Sequence, residues 1–118
     1  DTEVADTLHM MANSVVGMVR DTVESMRSRD TTLAQRVLAF DDTVDAFKDE
    51  LVTRAQNDLA AGVVSVPAGL QLLAVVRAVE RMADHCTNIC EQVIYLETGK
   101  IVRHLPSGWT APSLPEDG

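Results

Sequence analysis

Aromatic side chains are nearly missing from this 118-residue chain. They make up 3% of the residues whereas 46% are hydrophobic, so a core has to be built from Val, Leu, Met and Ala. Such a mixture suits helices packed side by side better than a β-sandwich, which draws on more β-branched and aromatic alternation. The composition therefore favours an all-α fold, and the length allows one domain with a single core.

Positive charge is also scarce. Ten Lys and Arg residues stand against eighteen Asp and Glu residues, which gives a formal net charge of −8. No basic stripe is available to displace the counterions of a nucleic acid, so we expect no nucleic-acid partner. The negative charge fits a cation or a basic protein partner, and plain solubility explains it equally well.

Cysteine is limited to Cys86 and Cys90. A spacing of four is neither a disulfide framework nor the C-x-x-C of a redox or zinc site, so we expect two small core residues in a reducing compartment. The acidic N-terminus lacks the apolar segment of a signal peptide, and no apolar run approaches the ~20 residues of a membrane span. We expect a cytoplasmic protein without direct membrane insertion.

Apolar spacing and turn signals predict three helices. The first covers about residues 2–26, the second runs from an N-cap at Asp30 to Gly62, and the third has Pro67 in its first turn and ends at Gly99. The short connections imply antiparallel neighbours. We predict an antiparallel three-helix bundle over residues 1–103 and an extended, proline-containing tail over 104–118, anchored at most by Leu105 and Trp109.

Each predicted helix carries an apolar stripe at the spacing of a core-facing surface. On the first helix the stripe consists of Ala5, Leu8, Ala12, Val15, Val19, Val23 and Met26. On the second it consists of Leu33, Val37, Phe40, Val44, Phe47 and Leu51. On the third it consists of Val79, Met82, Ala83, Cys86, Cys90 and Val93.

These stripes make two predictions about packing. Phe40 and Phe47 should pack with Val37 and Val44 against the third helix, where we expect the partners Leu72, Val75, Val79, Met82 and Cys86. The third helix is apolar over about 140° of its circumference, more than a three-helix core requires. We therefore expect a homodimer that buries part of the first or third helix.

Acidic residues form two rows at helical spacing. Glu80, Asp84, Asn88 and Glu91 lie together on the third helix, and Asp41, Asp45 and Asp49 lie on the second, with Asp42 pointing further out. Antiparallel packing could bring four carboxylates to one edge, where they would repel one another unless a cation sat between them or some were protonated. The alternative is a solvated polar face.

The residue identities at positions 76–99 are more specific for a protein family than the spacing of the acidic residues. It resembles the last helix of the PhoU family, bacterial regulators of phosphate uptake and of the phosphate-starvation response, which usually reads Leu-Glu-Arg-Ile-Gly-Asp-His-Ala-Thr-Asn-Ile-Ala-Glu. Ala83 replaces the Gly, and Cys86 and Cys90 replace two Ala, so each exchange keeps a small residue. The matching residues are Glu80–His85, Thr87–Ile89, Glu91, Val93–Leu96 and Thr98–Gly99.

The resemblance covers residues 3–104 and corresponds to the second of the two three-helix repeats of a full-length PhoU. It implies a negative regulator that is not an enzyme, with the ATPase of the phosphate ABC transporter and the phosphate-sensing histidine kinase as partners. Its E(D)-x-x-x-D motifs imply a metal ion, iron first, with zinc, manganese or magnesium as alternatives. The implied ligands are Asp41, Asp45, Glu80 and Asp84, with Asp42, Asp49, Asn88 and Glu91 as second choices.

Other functions stay open at this point. PhoU-like domains also occur as cytosolic parts of sodium–phosphate cotransporters, and the chain, which starts at Asp1 inside a helical pattern, could be part of something longer. The third interpretation is a purely structural helical bundle whose acidic residues are only solvated. A di-iron enzyme is disfavoured because no Glu-x-x-His is present, and His85 is expected to be a surface residue rather than a ligand.

Overall fold

The described part of the chain forms three long helices. The computed structural model describes residues 2–102, 104–105 and 108–109, with α1 at Thr2–Ser28, α2 at Thr31–Ala61 and α3 at Val66–Thr98. Two short strands follow, β1 at His104–Leu105 and β2 at Gly108–Trp109, paired antiparallel. The predicted all-α three-helix bundle is confirmed.

The helix ends lie where the local chemistry predicts them. The side chain of Asp30 accepts a hydrogen bond from the Leu33 amide at 3.0 Å, and Ser65 caps α3 in the same way through the Ala68 amide. Gly62 and Gly99 end α2 and α3 in the left-handed conformation, with φ of 70° and 68°, which costs a residue without Cβ little. These caps keep both connections short.

The short connections make α1 and α3 parallel to each other and antiparallel to α2. Contacts at the helix ends agree with this arrangement. Leu59, near the end of α2, lies against Gly69, near the start of α3, while Arg29, just after α1, pairs with Glu97 near the end of α3. The bundle is elongated, with principal extents of 52 × 30 × 20 Å. Its buried apolar core runs along all three helices and consists of Met11, Val15, Met18, Ala34, Val37, Leu38, Val44, Leu51, Val76, Ala83, Cys86, Cys90, Val93, Ile94 and Val102.

The predicted core stripe of α1 is wrong for most of its length. Val15 is buried and Leu8 and Ala12 are partly buried, whereas the rest of that stripe is exposed: Ala5, Val19, Val23 and Met26. The buried residues are instead Thr7, Met11, Val15, Met18, Thr22 and Ser25. Half of this inner stripe is polar, so a search for apolar residues at helical spacing does not find it.

Two buried hydroxyls of α1, those of Thr22 and Ser25, donate hydrogen bonds within the helix. Thr22 donates to the Met18 carbonyl at 2.7 Å, and Ser25 donates to the Thr22 carbonyl at 2.8 Å. A buried hydroxyl with a partner avoids most of the cost of leaving water. Small polar residues can therefore occupy the inner face of α1 and allow close packing of α3.

Three predicted seam positions of α2 and α3 also need correction. Phe40 of α2 and both Val75 and Met82 of α3 are exposed. The buried stripe of α2 passes through Leu38 and Asp41 instead of Phe40. The rest of the prediction is confirmed, since a single core cluster contains Val37, Val44, Phe47, Leu72, Val79 and Cys86. Phe47 is only partly buried.

The tail begins with a hairpin. His104 pairs with Trp109 and Leu105 with Gly108, and β2 lies beside α2. The predicted anchors Leu105 and Trp109 thus lie one on each strand, whereas residues 110–118 of the predicted tail lie outside the described residues. In the part of the chain that the structure describes, no helix is long and apolar enough to cross a membrane.

Candidate functional site: an acidic edge between α2 and α3

The two acidic rows meet along one edge of the bundle. Antiparallel packing brings Asp45 of α2 into electrostatic range of Glu80 and Asp84 of α3. Burial raises the pKa of Asp45 first of all, and Glu80, Asp84 and Asp42 raise it further against the opposing effect of Lys48. We call Asp45, Glu80, Asp84 and Lys48 the acidic edge.

Lys48 is the member of this edge that the sequence interpretation missed. Its Nζ lies 3.1 Å from Oε2 of Glu80 and 3.6 Å from Oδ1 of Asp49. The hydrogen bond to Glu80 raises the pKa of the Lys48 ammonium, against the opposing effect of burial. Lys48 thereby supplies positive charge at the place where the paired rows suggested a metal. The sequence signal for Lys48 is its position three residues after Asp45, since residues at that spacing are neighbours on a helix surface.

Asp84 completes the edge from α3. Burial raises the pKa of its carboxyl, and so does the neighbouring Glu80, while Lys48 and His85 oppose the shift. The main-chain carbonyl of Asp84 accepts a hydrogen bond from the Thr87 hydroxyl at 2.9 Å. Like-charged carboxylates held this close favour a proton or a cation, which is the property expected of a cation-binding surface.

The remaining predicted ligands are placed differently. Asp41 is only 8% exposed and faces the core, and Asn88 is exposed. Asp42 and Asp49 are exposed beside the edge, close to Asp45 and Lys48 respectively. Glu91 lines a separate groove, and burial raises its pKa.

Carboxylate oxygens are the ligand type that hard cations prefer. The side chains of the acidic edge, however, are not arranged as a complete set of metal ligands. Over residues 2–102, no group of three or more His, Cys, Asp or Glu side chains is positioned to hold a metal ion. The Lys48 ammonium already occupies Glu80, at 3.1 Å from Oε2. A cation that used Glu80 would have to displace Lys48.

The cysteines and His85 agree with their predicted structural roles. Cys86 and Cys90 are free thiols in the core, and burial raises the pKa of both. Sγ of Cys90 lies 3.5 Å from the Thr22 hydroxyl, which joins α3 to α1. His85 is exposed.

Comparison with known proteins agrees with this architecture. The family model of the PhoU domain matches residues 8–93. No solved structure gives a significant match.

Among curated proteins, the chain is 31% identical over 106 residues to "Phosphate-specific transport system accessory protein PhoU homolog 1" of Thermotoga maritima, covering 90% of this chain and 46% of that protein. It is 35% identical over 99 residues to a PhoU homolog of Pseudomonas aeruginosa, covering 80% of this chain and 39% of the relative. The PhoU of Serratia marcescens is 28% identical over 84% of this chain and 41% of its own length. The chain thus spans less than half the length of these relatives, and the match over residues 8–93 shows that it belongs to the PhoU family.

Proposed function

We propose that this domain is a negative regulator of phosphate uptake and of phosphate-starvation signalling, and that it works by binding other proteins. The observation that carries the proposal is the PhoU-domain match over residues 8–93 of a bundle whose fold is the one expected for the family. The relatives are named accessory proteins of phosphate-specific transport systems. An accessory protein controls a transporter rather than catalysing a reaction, so the proposal does not include an enzymatic activity.

The proposed partners are the ATPase of the phosphate ABC transporter and the phosphate-sensing histidine kinase, both met in the cytoplasm. Charge supports a basic docking surface on these partners, because the chain carries a net charge of −8. Electrostatic complementarity of this kind raises the rate of association and depends on ionic strength.

Regulation can be tested in the native host. Deleting the coding region for these residues should raise phosphate uptake and switch on a starvation reporter in phosphate-rich medium, and expressing the chain again should reverse both effects. The variant Leu51→Asp, which places a charge at a position only 1% exposed, should fail to do so because the bundle unfolds. An unchanged reporter in the deletion strain would refute the proposed role.

The second part of the proposal is a metal ion at the acidic edge. Asp45, Glu80 and Asp84 would supply oxygen ligands, with Asp41 one helical turn along α2. Binding would require the Lys48 ammonium to leave Glu80, so protein and metal compete for the same carboxylate. Iron is the first candidate from the family resemblance, followed by zinc, manganese and magnesium.

The competition provides a sharp test. A metal that binds only the folded protein raises its melting temperature, and Lys48→Gln should increase that rise by removing the competing ammonium. Lys100→Gln is the matched control, because Lys100 is the other lysine of the chain and lies exposed beyond α3. Asp45→Asn combined with Asp84→Asn should abolish the effect.

Metal content should be measured on protein purified without chelator. If iron, zinc, manganese, magnesium and calcium all leave the melting temperature of both the wild type and Lys48→Gln unchanged, the proposed metal site is refuted. The acids would then be a solvated face whose counter-charge is Lys48. Regulation by protein contacts would be unaffected by that result.

A further inference from the structure

A groove between α2 and α3 concentrates positive charge in an otherwise acidic chain. Lys48 of α2 and both Arg77 and Arg81 of α3 line it, which is three of the ten Lys and Arg residues of a chain with a net charge of −8. Asp49 and Glu80 line the groove as well, and their carboxylates lie 3.6 Å and 3.1 Å from the Lys48 ammonium. The charges left over in the groove are therefore the guanidinium groups of Arg77 and Arg81.

The two arginines are placed at a cost to their own helix. They are exposed and four residues apart on α3, so two like charges are neighbours on the helix surface, which disfavours the helix. The nearby acids Glu80 and Asp84 interact with Lys48 instead. In the part of the chain that the structure describes, neither arginine forms an ion pair. A negatively charged ligand would remove the repulsion between them.

The same side of α3 is apolar before it becomes basic. Leu73, Leu70 and Val66 precede Arg77 by four, seven and eleven residues, so that all of them lie with Arg81 within about 80° of the helix circumference. Leu70 and Leu73 line the same groove as the arginines, and Val66 and Leu70 are 62% and 57% exposed. We call Val66, Leu70, Leu73, Arg77 and Arg81 the basic–apolar stripe.

The length and the charge of this surface select the kind of ligand. The stripe is about 22 Å long at 1.5 Å per residue, and Val52 of α2 adds an apolar side chain to the facing wall of the groove. An inorganic anion would meet the arginines and leave the leucines in water. An anionic membrane or a nucleic acid would be repelled by the net charge of −8. A peptide helix of about four turns spans the whole stripe.

We propose that the basic–apolar stripe binds an amphipathic helical segment of a partner protein, with apolar side chains against Leu70 and Leu73 and carboxylates against Arg77 and Arg81. Guanidinium groups bind carboxylates through two parallel hydrogen bonds, which fixes the position of the segment along the groove. The inference takes from the proposed function only that the chain works by binding proteins. It adds a site whose charge is opposite to that of the chain as a whole.

A synthetic probe tests this site without a known partner. The probe is a fluorescein-labelled helical peptide of about 16 residues, built on alanine and glutamine, with three leucines and two glutamates on one face at the spacing of the stripe. It is made in both orders, with the leucines first or the glutamates first. In fluorescence anisotropy, one of the two should bind with a dissociation constant of about 10–100 μM, as expected for a small interface. The affinity should fall as NaCl is added.

Charge variants locate the probe. Arg77→Gln combined with Arg81→Gln should weaken binding by about tenfold or more and should not lower the melting temperature, because it removes two neighbouring like charges. The matched control is Arg20→Gln with Arg36→Gln, which removes the same charge at exposed positions of α1 and α2 and should bind like the wild type. A probe with lysines in place of its glutamates should prefer the Arg77→Glu, Arg81→Glu variant over the wild type.

The apolar half of the stripe has its own matched pair. Leu70→Gln should weaken binding of the probe, whereas Leu96→Gln, at a position 78% exposed near the other end of α3, should not. Vesicles of phosphatidylglycerol should not bind the chain.

Three results would overturn the proposal. They are no binding of either probe at about 500 μM protein, well above the expected constant, equal binding by the double glutamine variant, and vesicle binding that depends on Arg77 and Arg81. Each of these measurements is independent of the phosphate-starvation reporter, so failure of this site and failure of the proposed function are told apart.

Discussion

The orientation of α1 is the structural finding that departs furthest from the sequence pattern, and two methionines of that helix test it. Met18 is 2% exposed and belongs to the core, whereas Met26 is 47% exposed. The apolar pattern alone predicts the reverse, since it includes Met26 and omits Met18. Met18→Ala and Met26→Ala therefore make the same chemical change in the same helix. They differ only in whether the methionine lies on the buried or the exposed side.

The expected cost of Met18→Ala follows from its burial. Removing three heavy atoms forfeits about 2.4 kcal/mol at roughly 0.8 kcal/mol per methylene-sized group. A residual cavity adds about 1 kcal/mol for each ~40 Å³ that the neighbours fail to fill, so the total is about 3 kcal/mol. Met26→Ala should cost below about 1 kcal/mol, because nearly half of its surface is already in water.

Urea unfolding followed by circular dichroism measures both variants, at about 1 μM protein to avoid any contribution of self-association. With a slope of about 2 kcal/mol per molar urea, Met18→Ala should lower the midpoint by about 1.5 M. A loss for Met26→Ala that equals or exceeds the loss for Met18→Ala would show that α1 is turned the other way.

Two further predictions concern the acidic edge and the α2–α3 junction. Because burial raises the pKa of Asp45 in the folded protein, ionised Asp45 lowers stability above that pKa, and the loss disappears as the pH falls towards the unfolded value of about 3.9. Without metal, Asp45→Asn should therefore raise the melting temperature at pH 7 and have little effect near pH 3; a lower melting temperature at pH 7 would contradict this. At Gly69 an added Cβ would lie 2.5 Å from Cδ2 of Leu59, so Gly69→Ala should destabilise the protein despite the ~1 kcal/mol helix preference of Ala. In a Leu59→Ala background the same change should stabilise, and a stabilising effect in both backgrounds would show that Leu59 moves aside freely.

The helix ends could be predicted from the sequence because their causes are local. Asp30, Gly62 and Gly99 act through hydrogen bonds and backbone angles within a few residues of each end. The sequence also predicts most of the buried side of α3, since Ala83, Cys86, Cys90 and Val93 of the predicted stripe are all buried.

The rotation of α1 could not be predicted in that way because periodicity shows an apolar face but not what it faces. Thr22 and Ser25 enter the core by hydrogen bonding to their own helix, whereas Val19 and Val23 remain outside. A helix with two packing surfaces has two stripes, and the more apolar stripe is not always the one nearest the core.

The acidic edge was predictable in part. Spacing of four placed Asp45, Glu80 and Asp84 in two rows, and the antiparallel packing brings them together. The inward position of Asp41 depends on the rotation of α2, and the role of Lys48 depends on a long side chain reaching Glu80 across the helix interface. Metal binding stays a prediction, as does the domain boundary at residue 103.

The proposed function is tested most directly by titrating this chain with the purified ATPase subunit of the phosphate ABC transporter from the same genome. Isothermal titration calorimetry should show saturable binding with a dissociation constant in the micromolar range or tighter, weaker at high salt because the chain is strongly acidic. The ATPase subunit of an unrelated ABC transporter should give no signal. Absence of heat and of co-elution at 100 μM of both proteins, or equal binding to the unrelated subunit, would contradict the proposed role in phosphate transport.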